Sequence, residues 1–217
     1  MNPMPRTPGI GHMPGNTASS ARDYLDHLGA LVSSLDCPAI DLYADLLFDA
    51  WRDDRQVLVF GNGGSAATAS HFVTDLVKTA AVEGQRRLRA LSLFDNVPLT
   101  TAIGNDIGYE DTLLYPLEAY AREGDLVVAI SGSGTSPNVV KACRWAKEQG
   151  LTIVALTGFG GGVLKDIADH HVNVGSENYG VIEDLHLSIG HMVIQRLQAL
   201  VERATSDASA STPRQTD

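Results

Sequence analysis

Only two cysteines occur, Cys37 and Cys143, far apart and in no metal-like spacing. That argues against a disulfide-stapled secreted scaffold and reads as free, buried thiols in a reducing compartment. No run of about 18 apolar residues exists, so no membrane span is expected. The N-terminus has no apolar signal core, and the expected location is cytoplasmic. Basic excess is also missing. Sixteen Lys and Arg face 26 Asp and Glu, a net charge of -10 that excludes a nucleic-acid partner needing a basic face. A small anion is not excluded, because backbone N–H groups at a helix start can hold one locally.

What is present is enough for one sizeable core: 44% of the 217 residues are hydrophobic and 19% charged. Residues 1–18 carry four prolines and three glycines and read as a disordered tail; residues 205–217, rich in Ser, Thr and Ala, read as another. The body, 19–204, is a single domain. Apolar residues Tyr24, Leu25, Leu28, Leu31, Val32 and Leu35 recur at helical spacing within 20–35, and Pro38 breaks the pattern. A second helix is expected over Ile40–Trp51.

The pattern then changes to short, continuous apolar runs: Val57–Phe60, Leu88–Leu93, Leu126–Ile130, Ile153–Leu156 and His171–Val174. Continuous rather than alternating apolarity suits strands covered on both faces. Strand–helix alternation at this spacing means repeated βαβ units. A final helix over Gly180–Arg203 closes the domain. The expected fold is α/β, a doubly wound five-stranded parallel sheet flanked by helices, preceded by an N-terminal helical hairpin. The apolar faces of the flanking helices suit an oligomer.

In such sheets ligands bind at the carboxyl ends of strands. Two loops stand there. Gly61-Asn62-Gly63-Gly64-Ser65 follows the first strand; its glycines allow close backbone approach, and Ser65 is positioned to cap the next helix. The glycine spacing is not that of a dinucleotide fingerprint, and no Gly-Lys-Ser/Thr makes it a Walker loop. Ser131-Gly132-Ser133-Gly134-Thr135-Ser136-Pro137-Asn138 follows the third strand and puts four hydroxyls before a helix. Hydroxyls plus N–H groups at a helix start make a neutral phosphate clamp, with Ser136 at the N-cap and Pro137 in the first turn.

A third constellation sits on helices. His71 and Asp75 are four residues apart and share a face. Glu183 and His191 lie eight apart on the last helix, roughly 80° around its axis. Two imidazoles and two carboxylates suit a divalent metal such as zinc, or an acid/base set. They also suit an ordinary surface pair and a core histidine.

GNGGSAATASHF at 61–72, AISGSGTSPNVVKA at 129–142 and IVALTGFGGG at 153–162 resemble the sugar isomerase (SIS) domain family, closest to the sedoheptulose-7-phosphate isomerases. The resemblance covers about residues 20–203. It implies an aldose–ketose isomerase acting on a phosphorylated sugar, a homotetramer and a bound divalent ion, Zn2+. It implies that Ser131, Ser133 and Ser136, with Gly132, hold the phosphate. Asn62, Gly63 and Ser65 would contact the sugar, and Asp106 its hydroxyls. His71, Asp75, Glu183 and His191 would hold the metal, with Asp75 or Glu183 as base and His191 as its acid/base partner. Here Asp75 stands where the family has glutamate, Glu183 where it has glutamine, and Gly132 where it has threonine. A neighbouring branch resembles the DnaA initiator-associating proteins, which would make the chain a non-catalytic binding protein.

Overall fold

The five apolar runs form five strands in the computed structural model, which describes the backbone of residues 18–210 and side chains through Asp207. They are β1 Gln56–Gly61, β2 Arg89–Ser92, β3 Leu126–Ser131, β4 Thr152–Thr157 and β5 His170–Asn173. All pair in parallel, in the order β2-β1-β3-β4-β5. Successive side chains point to opposite faces. Val57, Val59, Val128, Ile130, Val154 and Leu156 therefore enter one core, and Leu58, Phe60, Val127, Ala129, Ile153 and Ala155 the other. Burial on both sides explains why β1, β3 and β4 carry no polar alternation, while the edge strands β2 and β5 are only partly buried.

The first core lies under α2 Cys37–Arg52, α3 Gly64–Thr74 and α8 Tyr179–Ala210. The second lies under α5 Leu114–Tyr120, α6 Pro137–Glu148 and the short α7 Leu164–Ile167. A further helix, α4 Val97–Asp106, follows β2. The fully buried side chains Tyr43, Leu47, Leu58 and Leu185 show how deep both cores run. Removing one such leucine side chain costs about 2–5 kcal/mol.

Two helices precede β1, as the sequence implies. The second begins earlier than expected. Asp36 caps it by accepting from the Ala39 N–H at 3.0 Å, and Pro38 starts the helix instead of preceding it. The first, α1 Ala21–Val32, buries none of its residues. Its Tyr24 hydroxyl donates to Asp184 of α8 at 2.6 Å. The last helix also exceeds expectation, reaching Ala210 instead of Arg203. No Gly or Pro intervenes before Pro213, and Thr205 and Ser206 hydroxyls bond back to Val201 and Glu202 carbonyls. The expected tail at 205–217 is thus helical in its first part. The tail expected at 1–18 lies, Ala18 apart, outside the described residues. Both cysteines are free; Cys143 is buried, but Cys37 is exposed, because it opens α2 at the surface.

Candidate functional site

The strand order reverses between β1 and β3, so the loops leaving these two strands diverge and open a crevice there. Both singled-out loops line it. A cavity of about 150 Å³ is walled by Asn62 and Ser65 on one side, and by Ser131, Gly132, Ser133 and Ser136 on the other. Tyr179 and Glu183, one turn apart at the start of α8, complete it.

The first loop turns because Gly63 takes φ 54°, and α3 starts directly after it. Gly63, not Ser65, is the N-cap; Ser65 is already inside the first turn, buried and facing the cavity. Gly64 is required for a different reason. A Cβ there would meet the Glu183 carboxylate at 2.5 Å, so the carboxylate lies directly on the first turn of α3. The positive end of the helix dipole favours an anion at that place.

The serine loop is shaped by its own hydroxyl oxygens. Ser131 Oγ accepts from the Gly134 N–H at 3.2 Å, and Ser133 Oγ accepts from the Thr135 N–H at 3.3 Å. Each serine hydroxyl keeps its proton for a ligand. Ser136 is the N-cap of α6 but makes no capping bond through its side chain, so its hydroxyl is also free to donate. The glycine stretch after β4 braces the loop from behind. Gly158 N–H donates to Gly132 O at 2.8 Å, and Leu164 N–H to Gly134 O at 3.1 Å.

Asn62 is held by a reciprocal amide pair. Its Nδ2 donates to Asn138 Oδ1, and its Oδ1 accepts the return bond from Asn138 Nδ2, both 2.9 Å. Tyr109 hydroxyl donates to the same Asn62 oxygen at 3.0 Å.

Further along α3 and α8 the two helices meet again. His71 Nε2 is 3.1 Å from His191 Nε2, 3.2 Å from Asp75 Oδ2, and His191 Nε2 is 3.7 Å from that same oxygen. Gly190 permits this approach, since even a Cβ there would stand 3.2 Å from the Phe72 ring. The other Asp75 oxygen accepts from Thr79 Oγ1 at 2.8 Å, and Asp75 opens a π-helical turn, Asp75–Thr79. Such turns re-aim side chains locally. Both histidines are half exposed, while Asp75 is 17% exposed.

Three of the four expected metal ligands therefore converge, within 4.8 Å of one another. Glu183 does not join them. It sits eight residues before His191, about 12 Å along the helix, and points at Gly64. Asp106 does not reach the cavity either; it is exposed at the end of α4, where Asn105 Nδ2 donates to it at 2.7 Å. The core histidine of α8 is His186, whose Nε2–H donates to Thr157 O at 3.1 Å and whose imidazole is pushed by burial down to about 4. Tyr179, Asn138, Tyr109 and Thr79 join the site without being singled out by the sequence. Asn138 stands in the quoted serine motif, but its pairing with Asn62 spans 76 residues of chain and has no local signal.

The SIS domain family profile matches residues 23–158. A phosphoheptose isomerase of Geobacter sp. (strain M21) is 42% identical over 166 residues, covering 76% of this chain and 84% of the relative. The lincomycin biosynthesis protein LmbN of Streptomyces lincolnensis is 40% identical over 183 residues, covering 80% of this chain and 66% of that protein. Among solved structures, a phosphoheptose isomerase from Francisella tularensis superposes with a TM-score of 0.76 at 28% identity, covering 82% of this chain and 96% of the other. No described helix is long and apolar enough to cross a membrane. With its sheet order, its serine loop at the switch point and these relatives, the chain belongs to the SIS-domain family.

Proposed function

We propose that this protein is a sugar-phosphate isomerase that converts sedoheptulose 7-phosphate to an aldoheptose 7-phosphate. The carrying observation is that one α3/α8 seam presents two centres. The hydroxyl-lined cavity lies at one end, and the His71–Asp75–His191 cluster at the other. Gly64 and His71 are seven residues apart on one face of α3, roughly 10 Å. A long-chain sugar ester suits that separation better than a short one.

The serine hydroxyls hold the terminal phosphate, which supplies binding energy for orientation. Asp75 Oδ2 takes a proton from C1 of the ketose while an imidazole N–H, that of His191, protonates O2, giving the enediol. Return of a proton to C2 and loss of the O1 proton gives the aldose. Thr79 holds the other Asp75 oxygen, so the carboxylate faces the imidazoles without swinging away. Glu183, in the cavity, accepts hydrogen bonds from sugar hydroxyls rather than pairing with His191.

Two Nε2 atoms and a carboxylate oxygen would hold a divalent ion such as Zn2+. Bound there, it would take up the His191 Nε2 lone pair and supply, in place of that imidazole N–H, Lewis-acid polarisation of the substrate oxygens. The exposed apolar residues Leu25, Val32 and Leu42 of α1 and α2 support a homotetramer that covers them. The free thiols, and the lack of a membrane-spanning helix among the described residues, support a cytoplasmic location. The test is incubation with sedoheptulose 7-phosphate, the product read by NMR, with and without a chelator. Aldose appearing in the untreated sample supports the reading, and no aldose in any sample overturns it.

A further inference from the structure

The serine loop has one position without a hydroxyl for which its backbone gives no reason. Gly134 needs glycine, because it takes φ 64° and faces the Gly161 carbonyl. Gly132 has no left-handed φ. Its missing side chain has another cause: a Cβ there would stand 3.0 Å from Tyr179 Cε1 and 3.1 Å from Cδ1. The tyrosine ring occupies the space.

That ring is held from its other side as well. Phe159 meets it edge-on, with centroids 5.1 Å apart and planes at 62°. Tyr179 lines the same cavity as Ser131, Ser133 and Ser136, and among the described residues its hydroxyl has no hydrogen-bond partner. Among the described residues the cavity lining has no lysine or arginine, and Glu183 is its one charged side chain. Affinity for a phosphate must therefore come from hydroxyl and backbone donors. About 150 Å³ is also too little for a whole sugar ligand, given pockets of about 300–1,000 Å³ for drug-sized molecules, and suits a head group.

Building on the phosphate reading above, we propose that Tyr179 is a phosphate-binding residue. Its ring closes the cavity over Gly132, and its phenol donates to the ester in place of a hydroxyl at position 132. Ring and glycine are a coupled pair. The ligand class this favours is a terminal phosphate monoester, whose free oxygens accept several hydroxyl donors at once.

The test is calorimetric titration of the full chain with inorganic phosphate and with sedoheptulose 7-phosphate. Wild type is compared with Ser133→Ala, Tyr179→Phe, Gly132→Thr and the double variant Gly132→Thr/Tyr179→Ala, each first shown to melt as wild type does or corrected for the folded fraction. Tyr179→Phe is expected to weaken both ligands about tenfold, the size of one hydrogen bond to a charged group. Gly132→Thr alone is expected to lose binding, and the double variant to regain part of it. If Ser133→Ala weakens binding and Tyr179→Phe does not, the proposal falls while the phosphate site stands. A double variant no better than Gly132→Thr sinks the claimed coupling. If neither Ser133→Ala nor Tyr179→Phe changes affinity, the phosphate reading itself has failed.

Discussion

The Nε2 atoms of His71 and His191 lie 3.1 Å apart although 120 residues separate them in the chain. Two neutral imidazoles can share one proton at that distance, or both can turn lone pairs toward a cation. The neighbouring Asp75 oxygen, 3.2 Å from one ring and 3.7 Å from the other, suits the second arrangement. His191→Ala should therefore lower metal content, read by elemental analysis of protein purified without chelator, and abolish turnover. Near-stoichiometric metal retained in His191→Ala would remove this residue from the ligand set. Turnover surviving complete metal removal, with His191→Ala dead, would leave it an acid/base role alone.

Glu183 lies in the cavity with the serine hydroxyls, so a bound phosphate meets a like charge. Glu183→Gln should tighten binding of inorganic phosphate severalfold, with the difference shrinking at high salt as screening grows. Affinity that is unchanged or lowered at low salt would mean the carboxylate and the phosphate do not share the cavity.

The amide of Asn138 is almost wholly buried and spends itself on Asn62. Asn138→Ala leaves the Asn62 amide without that partner. It should cost about 1–3 kcal/mol of stability, the penalty of unsatisfied buried polar groups, and raise KM more than it lowers kcat. Denaturant unfolding and steady-state kinetics check both parts. An equal fall in kcat with KM unchanged would contradict a positioning role.

His186 gives the fold a defined acid sensitivity. Burial holds its imidazole down to about 4, against an ordinary value of 6.5. The unfolded chain therefore takes up this proton first as pH falls. Stability from the neutral histidine is full above about 6.5 and lost between about 6.5 and 4, up to roughly 3 kcal/mol. His186→Leu should flatten the unfolding free energy across that window. A slope there equal to wild type would place the acid sensitivity elsewhere.

The fold is legible because both faces of the central strands β1, β3 and β4 are buried, which writes them as apolar runs matching the observed bounds closely; the edge strands β2 and β5, RALS and HHVN, are marked more weakly. The loops are legible for a local reason: glycine and serine in that density, directly before a helix, allow close backbone approach and leave hydroxyls lining the cavity. What the sequence hides is which side chains meet. Glu183 looks equivalent to His191 as a ligand on one helix, yet its carboxylate goes to Gly64, because that glycine leaves room over the first turn of α3. Tyr179 carries no motif at all; its place depends on Gly132, far earlier in the chain. Ser65 reads as a cap because a serine before a helix usually is one, but the positive φ of Gly63 starts the helix sooner.

The most direct test of the central claim is turnover of sedoheptulose 7-phosphate in D2O, with zinc supplied and the reaction followed by proton NMR. Proton transfer through an enediol at Asp75 predicts a new aldose anomeric signal and solvent deuterium at C2 of the product, both lost in Asp75→Asn. Binding of the ester by wild type, with no aldose formed and no deuterium entering C1 of the ketose, would contradict the account and leave a protein that binds a phosphosugar without converting it.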